Sequence, residues 1–141
     1  MAKKKLRVAF IGAGGIAGAH MNYLSKMEDV ELVSAADVVM ENVEKRCEEF
    51  SIGEAFTDYK KMLRVVKPDA VSVCTPNGMH APCSIDALNS GAHVIVEKPL
   101  AMNAREGNRM LAAAKKNRRK LVIGFQYRFD SKTSFIKNAV D

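Results

Sequence analysis

Cysteine is scarce in this sequence of 141 residues. The chain has 3 cysteines, Cys47, Cys74 and Cys83, and no two of them show the C-x-x-C spacing. An odd number of cysteines without that spacing indicates neither a disulfide framework nor a zinc site. We therefore expect reduced thiols, most of them buried, and no bound metal.

Long apolar runs are also absent. No run approaches the ~20 residues of a membrane-spanning helix, and the apolar stretch after residues 1–5 is too short for the centre of a signal peptide. Apolar residues make up 48% and charged residues 27% of the chain, which is the ordinary composition of a globular protein. These values predict a cytoplasmic protein without a membrane partner, and the length predicts one domain.

Aromatic residues are few, at 6%, and this bears on the net charge of +6. One basic cluster precedes the first predicted strand, and a second stands where a helix should end and favours the negative end of its dipole. No aromatic residues interleave with either cluster to form a stacking surface, so we expect no nucleic-acid partner. The clusters are Lys3–Lys5 and Lys115–Lys120.

Short apolar runs alternate along the chain with longer amphipathic stretches. This alternation is typical of buried parallel strands joined by crossover helices, and it predicts an α/β fold. Six parallel strands fit the doubly wound Rossmann order 3-2-1-4-5-6, with helices on both faces. The predicted strands are Leu6–Ile11, Glu31–Ala36, Glu54–Phe56, Ala70–Thr75, His93–Val96 and Leu121–Gly124. The predicted helices are Gly15–Met27, Met40–Phe50, Asp58–Val66, Pro82–Ser90 and Ala104–Lys116.

Capping signals support two of the helix starts. Asn103 with Glu106 resembles a capping box, with Asn103 at the cap position. Thr57 or Asp58 can cap the short third helix. Ligands of this architecture bind beyond the carboxyl ends of the strands, so the residues that directly follow each strand are the candidates for function.

A glycine-rich loop follows the first strand. Gly12, Ala13, Gly14, Gly15, Ile16 and Ala17 read as G-x-G-x-x-A in the turn that opens the first helix. Gly12 permits a tight turn, Gly14 lets a pyrophosphate approach the backbone, and the small Ala17 lets helix and strand pack closely. This loop, which continues to Gly18, predicts dinucleotide binding.

An acidic residue, Asp37, follows the second strand. Its carboxylate can accept hydrogen bonds from both hydroxyls of an adenosine ribose, and it would repel a 2′-phosphate. Val38, Val39 and Met40 supply no cation to offset that repulsion. We therefore expect NAD rather than NADP as cofactor, the alternative being that Asp37 only caps the next helix.

Polar residues follow the fourth strand, on the other side of the predicted switch point. Thr75, Pro76, Asn77 and His80 are candidates for contacts with the cofactor. Pro76 and its neighbours can equally be turn residues, and a lone histidine such as His80 is often structural. The sequence is compatible with a cofactor contact and with a structural role for these residues.

An adjacent acid and base, Glu97 and Lys98, follow the fifth strand and precede Pro99. A charged side chain at the carboxyl end of a strand is costly unless it takes part in chemistry or pairs with an opposite charge. Lys98 is the catalytic candidate, because a lysine there could hydrogen-bond a substrate oxygen and share in its proton transfer. Glu97 could bind a ribose hydroxyl or Lys98, and the alternative is an ion pair on the surface.

Taken together, these motifs resemble the glucose-fructose oxidoreductase and inositol dehydrogenase family, also called Gfo/Idh/MocA. The similarity runs through the loop ending at His20, Asp37, the segment from Thr75 to His80, the Glu97-Lys98-Pro99-Leu100 segment, and residues 124–129. The resemblance implies a sugar, cyclitol or polyol dehydrogenase that uses NAD, with Lys98 in the place of the catalytic lysine. It also implies cofactor contacts from the positions named above and from Gln126 and Arg128.

The resemblance also implies a C-terminal substrate domain that this chain lacks. We expect residues 1–125 to form the dinucleotide-binding domain and residues 126–141 to be a connector that begins the second domain. Such a chain should bind NAD(H) with negligible turnover, act on a sugar or polyol only in a longer form, and associate through exposed apolar surface. The alternatives are a non-catalytic NAD(H)-binding or sensing module and part of an NAD-dependent glycosidase.

Overall fold

Six parallel strands form a single sheet in the order β3-β2-β1-β4-β5-β6 in the computed structural model, which describes residues 4–140. The predicted strand order is therefore confirmed. All neighbouring strands pair in parallel, as right-handed crossovers through helices require. The strands are β1 (Leu6–Ile11), β2 (Val30–Ala36), β3 (Glu54–Phe56), β4 (Ala70–Val73), β5 (His93–Val96) and β6 (Leu121–Ile123).

A helix follows every strand, directly or after a short 3-10 turn. The helices are α1 (Gly15–Leu24), α2 (Met40–Phe50), α3 (Tyr59–Val66), α4 (His80–Asn89), α5 (Ala104–Asn117) and α6 (Ser131–Val140), with 3-10 turns at Asn77–Met79 and Gln126–Phe129. Strand β4 ends at Val73, earlier than the predicted Thr75, because Pro76 has no N–H for the ladder and the chain turns there. Helix α1 ends at Leu24 rather than Met27, where i→i+3 bonds tighten the last turn.

Side-chain caps begin the two helices for which the sequence predicts them, α3 and α5. Asp58, rather than Thr57, caps α3, and its Oδ1 atom accepts from the backbone N–H groups of Lys60 and Lys61. Asn103 accepts from the N–H of Glu106 at 3.0 Å, as a capping box requires. The Glu106 carboxylate accepts in return from the N–H of Met102, one residue before the expected donor, Asn103.

The two faces of the sheet carry separate apolar cores. Phe10 of β1 packs with Met21 and Val43 on one face, whereas its neighbour Ile11 belongs to the core on the other face. Successive side chains of a strand point to opposite faces, so a strand buried on both sides must be apolar throughout. Both faces are therefore covered by helices, and only the strand ends are free to bind a ligand.

The thiols are less buried than the sequence suggests. All three cysteines are free, but only Cys83 is fully buried, while Cys47 and Cys74 are half-buried. Within residues 4–140 no three potential ligands among His, Cys, Asp and Glu come together as a metal site would need. None of the helices described here is long and apolar enough to cross a membrane.

Candidate functional site

A cleft of about 600 Å³ lies at the carboxyl ends of the central strands. It brings together three of the segments that the sequence singles out, namely those after β1, β2 and β4. The predicted residues that line it are Gly12, Gly14, Gly15, Ile16, Asp37, Thr75 and Pro76. Other lining residues come from the same strand ends and from the start of α3 and α4, as described below.

Two features of the backbone at position 12 require a glycine there. Its φ of 96° lies in the left-handed region, and a Cβ atom built on it would lie 2.4 Å from the carbonyl oxygen of Cys74. A side chain here would therefore push the loop away from the end of β4. Gly12 keeps the loop close to the strand and sets the direction in which α1 begins.

Gly14 and Gly15 border open space instead. A Cβ atom on either glycine meets no protein atom within 4 Å. Gly14 occupies the N-cap of α1 without a side chain that caps the helix. The first N–H groups of a helix lack partners within it and carry partial positive charge, so this end of the cleft suits an anion that approaches the backbone closely.

Ala13 and Ala17 hold the loop against the sheet. Ala13 is 3% exposed and Ala17 is fully buried, and both pack in the same core as Phe10. Larger side chains at these positions would need space that the strand and helix occupy. Their placement agrees with the packing role that the sequence assigns to Ala17.

Asp37 links the loop to the end of β2. Its Oδ2 atom accepts from the N–H of Ala13 at 2.8 Å, and its Oδ1 atom accepts from the N–H of Val39 at 3.0 Å. The N-cap of α2 is Val39, so Asp37 is not a helix cap. Each carboxylate oxygen can accept a further hydrogen bond, which leaves Asp37 able to bind hydroxyl groups in the cleft.

Sequence reasoning missed several residues of the cleft wall. These are Val38, Thr57, Tyr59, Cys74, Met79 and Cys83. The hydroxyl of Tyr59 donates to Asp86 at 2.8 Å, and burial, together with that carboxylate, raises the pKa of Tyr59. The signal was available, because Thr57 directly follows β3 and Tyr59 stands two residues later, where a ligand of this fold is expected.

Neutral polar groups line the wall at the end of β4. The Thr75 hydroxyl is buried and has no hydrogen-bond partner among residues 4–140. Burial raises the pKa of both Cys74 and Cys83 to about 11. These thiols are therefore protonated at neutral pH and add no negative charge to a cleft that suits an anion.

His80 and Asn77 do not line the cleft. His80 is 1% exposed, its Nδ1 atom lies 2.6 Å from the carbonyl oxygen of Pro99, and its Nε2 atom lies 2.9 Å from that of Thr75. Neither ring nitrogen faces the cleft, and the imidazole instead joins the loops that follow β4 and β5. Asn77 is exposed in the 3-10 turn before α4.

Glu97 contacts His20 rather than the Lys98 ammonium, which has no acidic partner in the part of the chain that the structure describes. The Glu97 Oε1 atom lies 3.0 Å from Nε2 of His20, and the carboxylate is 15% exposed. Gly124 leaves the space for this carboxylate, since a Cβ there would lie 2.8 Å from Oε1. Lys98 is exposed, and its ammonium forms no ion pair with Glu97 or with any other acid in residues 4–140.

His20 belongs to a polar cluster that sequence reasoning did not identify as a site. Its Nδ1 atom lies 2.9 Å from the Ser72 hydroxyl and 3.7 Å from the Cys74 sulfur. The imidazole therefore joins α1, β4 and the segment after β5. The only signal in the sequence was that His20 stands at the end of the glycine-rich motif.

Gln126 and Arg128 lie away from the cleft. Both belong to the 3-10 turn after β6, which has no buried residue, and both are exposed. The following helix α6 has no buried residue either. Neither residue takes part in the cleft walls that this structure describes.

A second cleft, of about 570 Å³, lies at the opposite edge of the sheet. Lys4, Lys5, Lys67 and Arg119 line it together with Asp29 and Asp69. Helices α3, α4 and α5 end near this edge, and the negative ends of their dipoles favour cations there rather than phosphate. The basic side chains thus complement the helix ends, and the first cleft is the better site for an anionic ligand.

Comparison with known families gives a match that covers most of the chain. The model of the GFO/IDH/MocA oxidoreductase family, which describes an NAD-binding Rossmann fold, matches residues 6–125. The match includes the loop from Gly12 to Ala17, Asp37 and Lys98.

Individual relatives and structures agree with this match. The chain is 36% identical to D-glucoside 3-dehydrogenase of Escherichia coli over 99% of its own length and 40% of the relative's. It is 36% identical to glycosyl hydrolase family 109 protein 1 of Akkermansia muciniphila over 72% and 23% of the two chains. A structure of scyllo-inositol dehydrogenase from Lactobacillus casei, with bound NAD(H) and scyllo-inositol, has a TM-score of 0.90 at 27% identity, covering 98% of this chain and 41% of that one. The chain thus spans about 40% of the length of dehydrogenases that it matches.

Proposed function

The chain belongs to the GFO/IDH/MocA family of NAD-binding oxidoreductases, and we propose that it is the cofactor-binding half of a dehydrogenase that acts on a sugar, cyclitol or related polyol. The named activities of its relatives support this substrate class. In this proposal residues 1–125 bind the cofactor, and residues 126–141 lead into a substrate domain.

The observation that carries the proposal is the joined loop and carboxylate at the carboxyl edge of the sheet. Gly14 and Gly15 leave open space at the positive end of α1, which fits a pyrophosphate. Asp37, bonded to the loop through the N–H of Ala13, lies where the adenosine ribose would be bound. One dinucleotide would satisfy both features at once, with Thr75 and Pro76 along its path.

The proposed preference for NAD over NADP rests on the charge around Asp37. The carboxylate would lie beside the ribose 2′ position, and Val38, which also lines the cleft, is apolar. A 2′-phosphate would face a negative charge without a cation to balance it. We therefore expect this chain to bind NADH more tightly than NADPH.

Lys98 is the proposed catalytic residue. NAD supplies the hydride acceptor when it is bound, and the role of Lys98 is to take up at Nζ the proton of the substrate hydroxyl whose carbon is oxidised. Its exposed position at the carboxyl end of β5 leaves Nζ without an acidic partner among the described residues and open to that hydroxyl. Glu97, bonded to His20, orients the backbone before Lys98 rather than pairing with its ammonium.

This chain alone is proposed to bind cofactor with negligible turnover. A lysine without walls that position a substrate loses the advantage of proximity, which can supply several kcal/mol in a complete site. The first test is a fluorescence titration with NADH, for which we expect saturable binding, followed by assays with myo-inositol and a D-glucoside, for which we expect no reduction of NAD. Absence of NADH binding would contradict the proposed function, and robust turnover would contradict the lack of activity.

A chimeric protein tests the proposed catalytic role of Lys98. Joining this chain to the remaining part of the E. coli D-glucoside 3-dehydrogenase should give NAD-dependent oxidation that Lys98→Met abolishes while NADH affinity is kept. Lys116→Met, which changes an exposed lysine of α5, serves as the matched control and should leave turnover unchanged. Full activity of the Lys98→Met chimera would exclude the proposed role of Lys98.

The similarity to a glycosyl hydrolase supports a second candidate. An NAD-dependent glycosidase would use the same cofactor cleft but would release a sugar from a glycoside without net reduction of NAD. The chimeric protein distinguishes the two activities through assays of NADH formation and of aglycone release. Cofactor binding with neither activity in an extended chain would favour a sensing module instead.

A further inference from the structure

Arg46 of α2 contacts the glycine-rich loop from the side opposite to the cleft. Its Nε atom donates to the carbonyl oxygen of Ala13 at 3.3 Å, and its Nη2 atom donates to the carbonyl oxygen of Gly14 at 3.3 Å. One guanidinium group thus bonds two consecutive peptide units of the loop. Its planar array of donors suits this double contact, whereas a lysine ammonium is a single point of charge.

These two bonds help to fix the orientation of the loop amides, together with the bond in α1 in which the Gly18 N–H donates to the Gly14 carbonyl oxygen at 3.1 Å. In a trans peptide the C=O and N–H groups point in opposite directions. A carbonyl of Ala13 held toward Arg46 therefore points the N–H of Gly14 away from Arg46, and the Gly14 carbonyl does the same for the N–H of Gly15. Gly14 and Gly15 both line the cleft, so these donors are available to a ligand there.

The space beside Gly18 is a second, independent observation that supports a role for Arg46. A Cβ atom on Gly18 would lie 2.6 Å from the guanidinium carbon of Arg46 and within 2.9 Å of both terminal nitrogens. Glycine inside a helix costs about 0.5–1 kcal/mol relative to alanine, so its presence in α1 calls for a reason. The reason that this structure offers is the space that the Arg46 side chain occupies.

The charge of Arg46 is balanced on its outer side. Its Nη1 atom pairs with Glu49 one turn further along α2, and the Arg46 side chain is 18% exposed. A carboxylate on the guanidinium reduces the attraction that the arginine exerts on a distant phosphate. The contacts therefore favour a role in holding the loop over a direct electrostatic one.

We propose that Arg46, admitted by Gly18, is a positioning residue that presets the N–H groups of Gly14 and Gly15 for the pyrophosphate of the cofactor. This inference rests on the proposed dinucleotide binding and adds a residue that selects for the diphosphate part of the ligand. It also explains why Gly18, which directly follows the G-x-G-x-x-A pattern, is a glycine.

Three ligands test the inference, because they differ in the part that reaches the loop. Arg46→Ala should weaken binding of NADH and of ADP by about three- to tenfold, the size of one modest hydrogen-bond effect, and leave adenosine binding unchanged. Arg46→Lys should not restore affinity, since one ammonium does not reproduce the paired contact. In spectra of the ligand-free chain, the amide resonances of Gly14 and Gly15 should shift in Arg46→Ala.

Matched variants control for charge and for folding. Lys45→Ala removes a neighbouring exposed cation from α2 and should leave all three affinities unchanged. Gly18→Ala should displace the guanidinium and reproduce the loss seen in Arg46→Ala, and the double variant should lose no more than either single one. Circular dichroism melting checks that each variant is folded, and if Arg46→Ala does not fold, Arg46→Lys and Gly18→Ala supply the same comparison.

The outcomes separate this inference from the proposed function. Equal weakening of adenosine and NADH, or full affinity in both Arg46→Ala and Gly18→Ala, overturns the role of Arg46 while NADH binding by the parent chain still stands. Failure of the parent chain to bind NADH overturns both.

Discussion

The Nε2 atom of His20 lies 3.0 Å from the Oε1 atom of Glu97, so the helix after the glycine-rich loop is bonded to the residue before Lys98. The other ring nitrogen, Nδ1, meets the Ser72 hydroxyl at 2.9 Å. One imidazole thereby connects the cofactor loop, the central strand β4 and the segment that carries the proposed catalytic lysine. A change at His20 should affect all three.

Replacing His20 should therefore reduce stability. We expect His20→Ala to lower the free energy of unfolding by roughly 1–3 kcal/mol, because it removes the imidazole that contacts the mostly buried Glu97 carboxylate and the Ser72 hydroxyl. Urea unfolding followed by circular dichroism measures this change. Asn22→Ala, at an exposed position of the same helix, is the control and should unfold with the parent. Identical midpoints for His20→Ala and the parent would show that the bond contributes nothing.

Replacing two glycines of the same loop by alanine should have different effects, on stability for Gly12 and on cofactor binding for Gly14. Gly12→Ala should destabilise the chain by about 1–3 kcal/mol, since it combines a positive φ with a clash against the Cys74 carbonyl. Gly14→Ala meets no protein atom within 4 Å and should keep the stability of the parent but lose NADH affinity. Thermal melting and NADH titration of both variants check the pair. Normal NADH binding by Gly14→Ala would show that a ligand does not use that space.

The carboxylate of Asp37 should control the choice between cofactors. Asp37→Asn should weaken NADH binding by about tenfold or more, because hydrogen bonds to a charged group are stronger than neutral ones. It should also narrow the gap between NADH and NADPH, since the charge that repels a 2′-phosphate is removed. Asp69→Asn is the matched control, because Asp69 also accepts from a backbone N–H, that of Arg7, but lies at the other edge of the sheet. Tighter binding of NADPH than of NADH by the parent chain would refute this assignment.

The cleft thiols should react slowly at neutral pH. Burial raises the pKa of Cys74 and Cys83 to about 11, and only the thiolate is a strong nucleophile. The maleimide labelling rate of each cysteine, read by mass spectrometry, should rise with pH beyond 9 without levelling, whereas glutathione levels near about 9. NADH should slow labelling, since both residues line the cleft. A plateau below pH 9 would contradict the raised values.

The raised pKa values of Cys74 and Cys83 predict that the chain loses stability at alkaline pH. A folded pKa above the unfolded one favours the native state while the thiol is protonated, so this contribution is complete below about 8.5 and is lost as the pH rises through about 11. Cys83→Ala should flatten the decline of the melting temperature over this range relative to the parent. An unchanged decline would assign the alkaline instability to other groups.

Copies of the chain should associate at high concentration. Exposed apolar side chains gather between β6 and the end of α6, and such patches tend to find partners. They include Phe129, Phe135 and Ile136. Light scattering should show association that Phe129→Ser with Phe135→Ser reduces and that Tyr23→Ser, an exposed aromatic on α1, does not. A monomer at the highest concentration would disprove this.

Much of the architecture could be predicted from local sequence. The strand order followed from the alternation of apolar runs and amphipathic stretches, which parallel sheets impose because both faces are buried. The positions of Gly12, Gly14 and Asp37 in the cleft followed from their places after strands. Element ends were less predictable, because hydrogen bonds in turns decide them, as at Val73 and Leu24.

The roles of His80 and Glu97 could not be predicted. His80 stood in the right segment, but its ring turns inward to two carbonyl groups, and periodicity does not specify where a ring points. The contact of Glu97 with His20 joins the segment after β5 to α1, and the local sequence around neither residue indicates it.

By itself the sequence determined the fold, the dinucleotide loop and the acid that follows β2, because each depends on spacing along a few residues. The tertiary structure alone decided which side chains meet. His20 and Glu97 are 77 residues apart, and Arg46 reaches the loop from a different helix. Such contacts arise when helices pack on a sheet and the polar groups left between them find partners, which depends on the positions of whole elements and leaves no local pattern in the sequence.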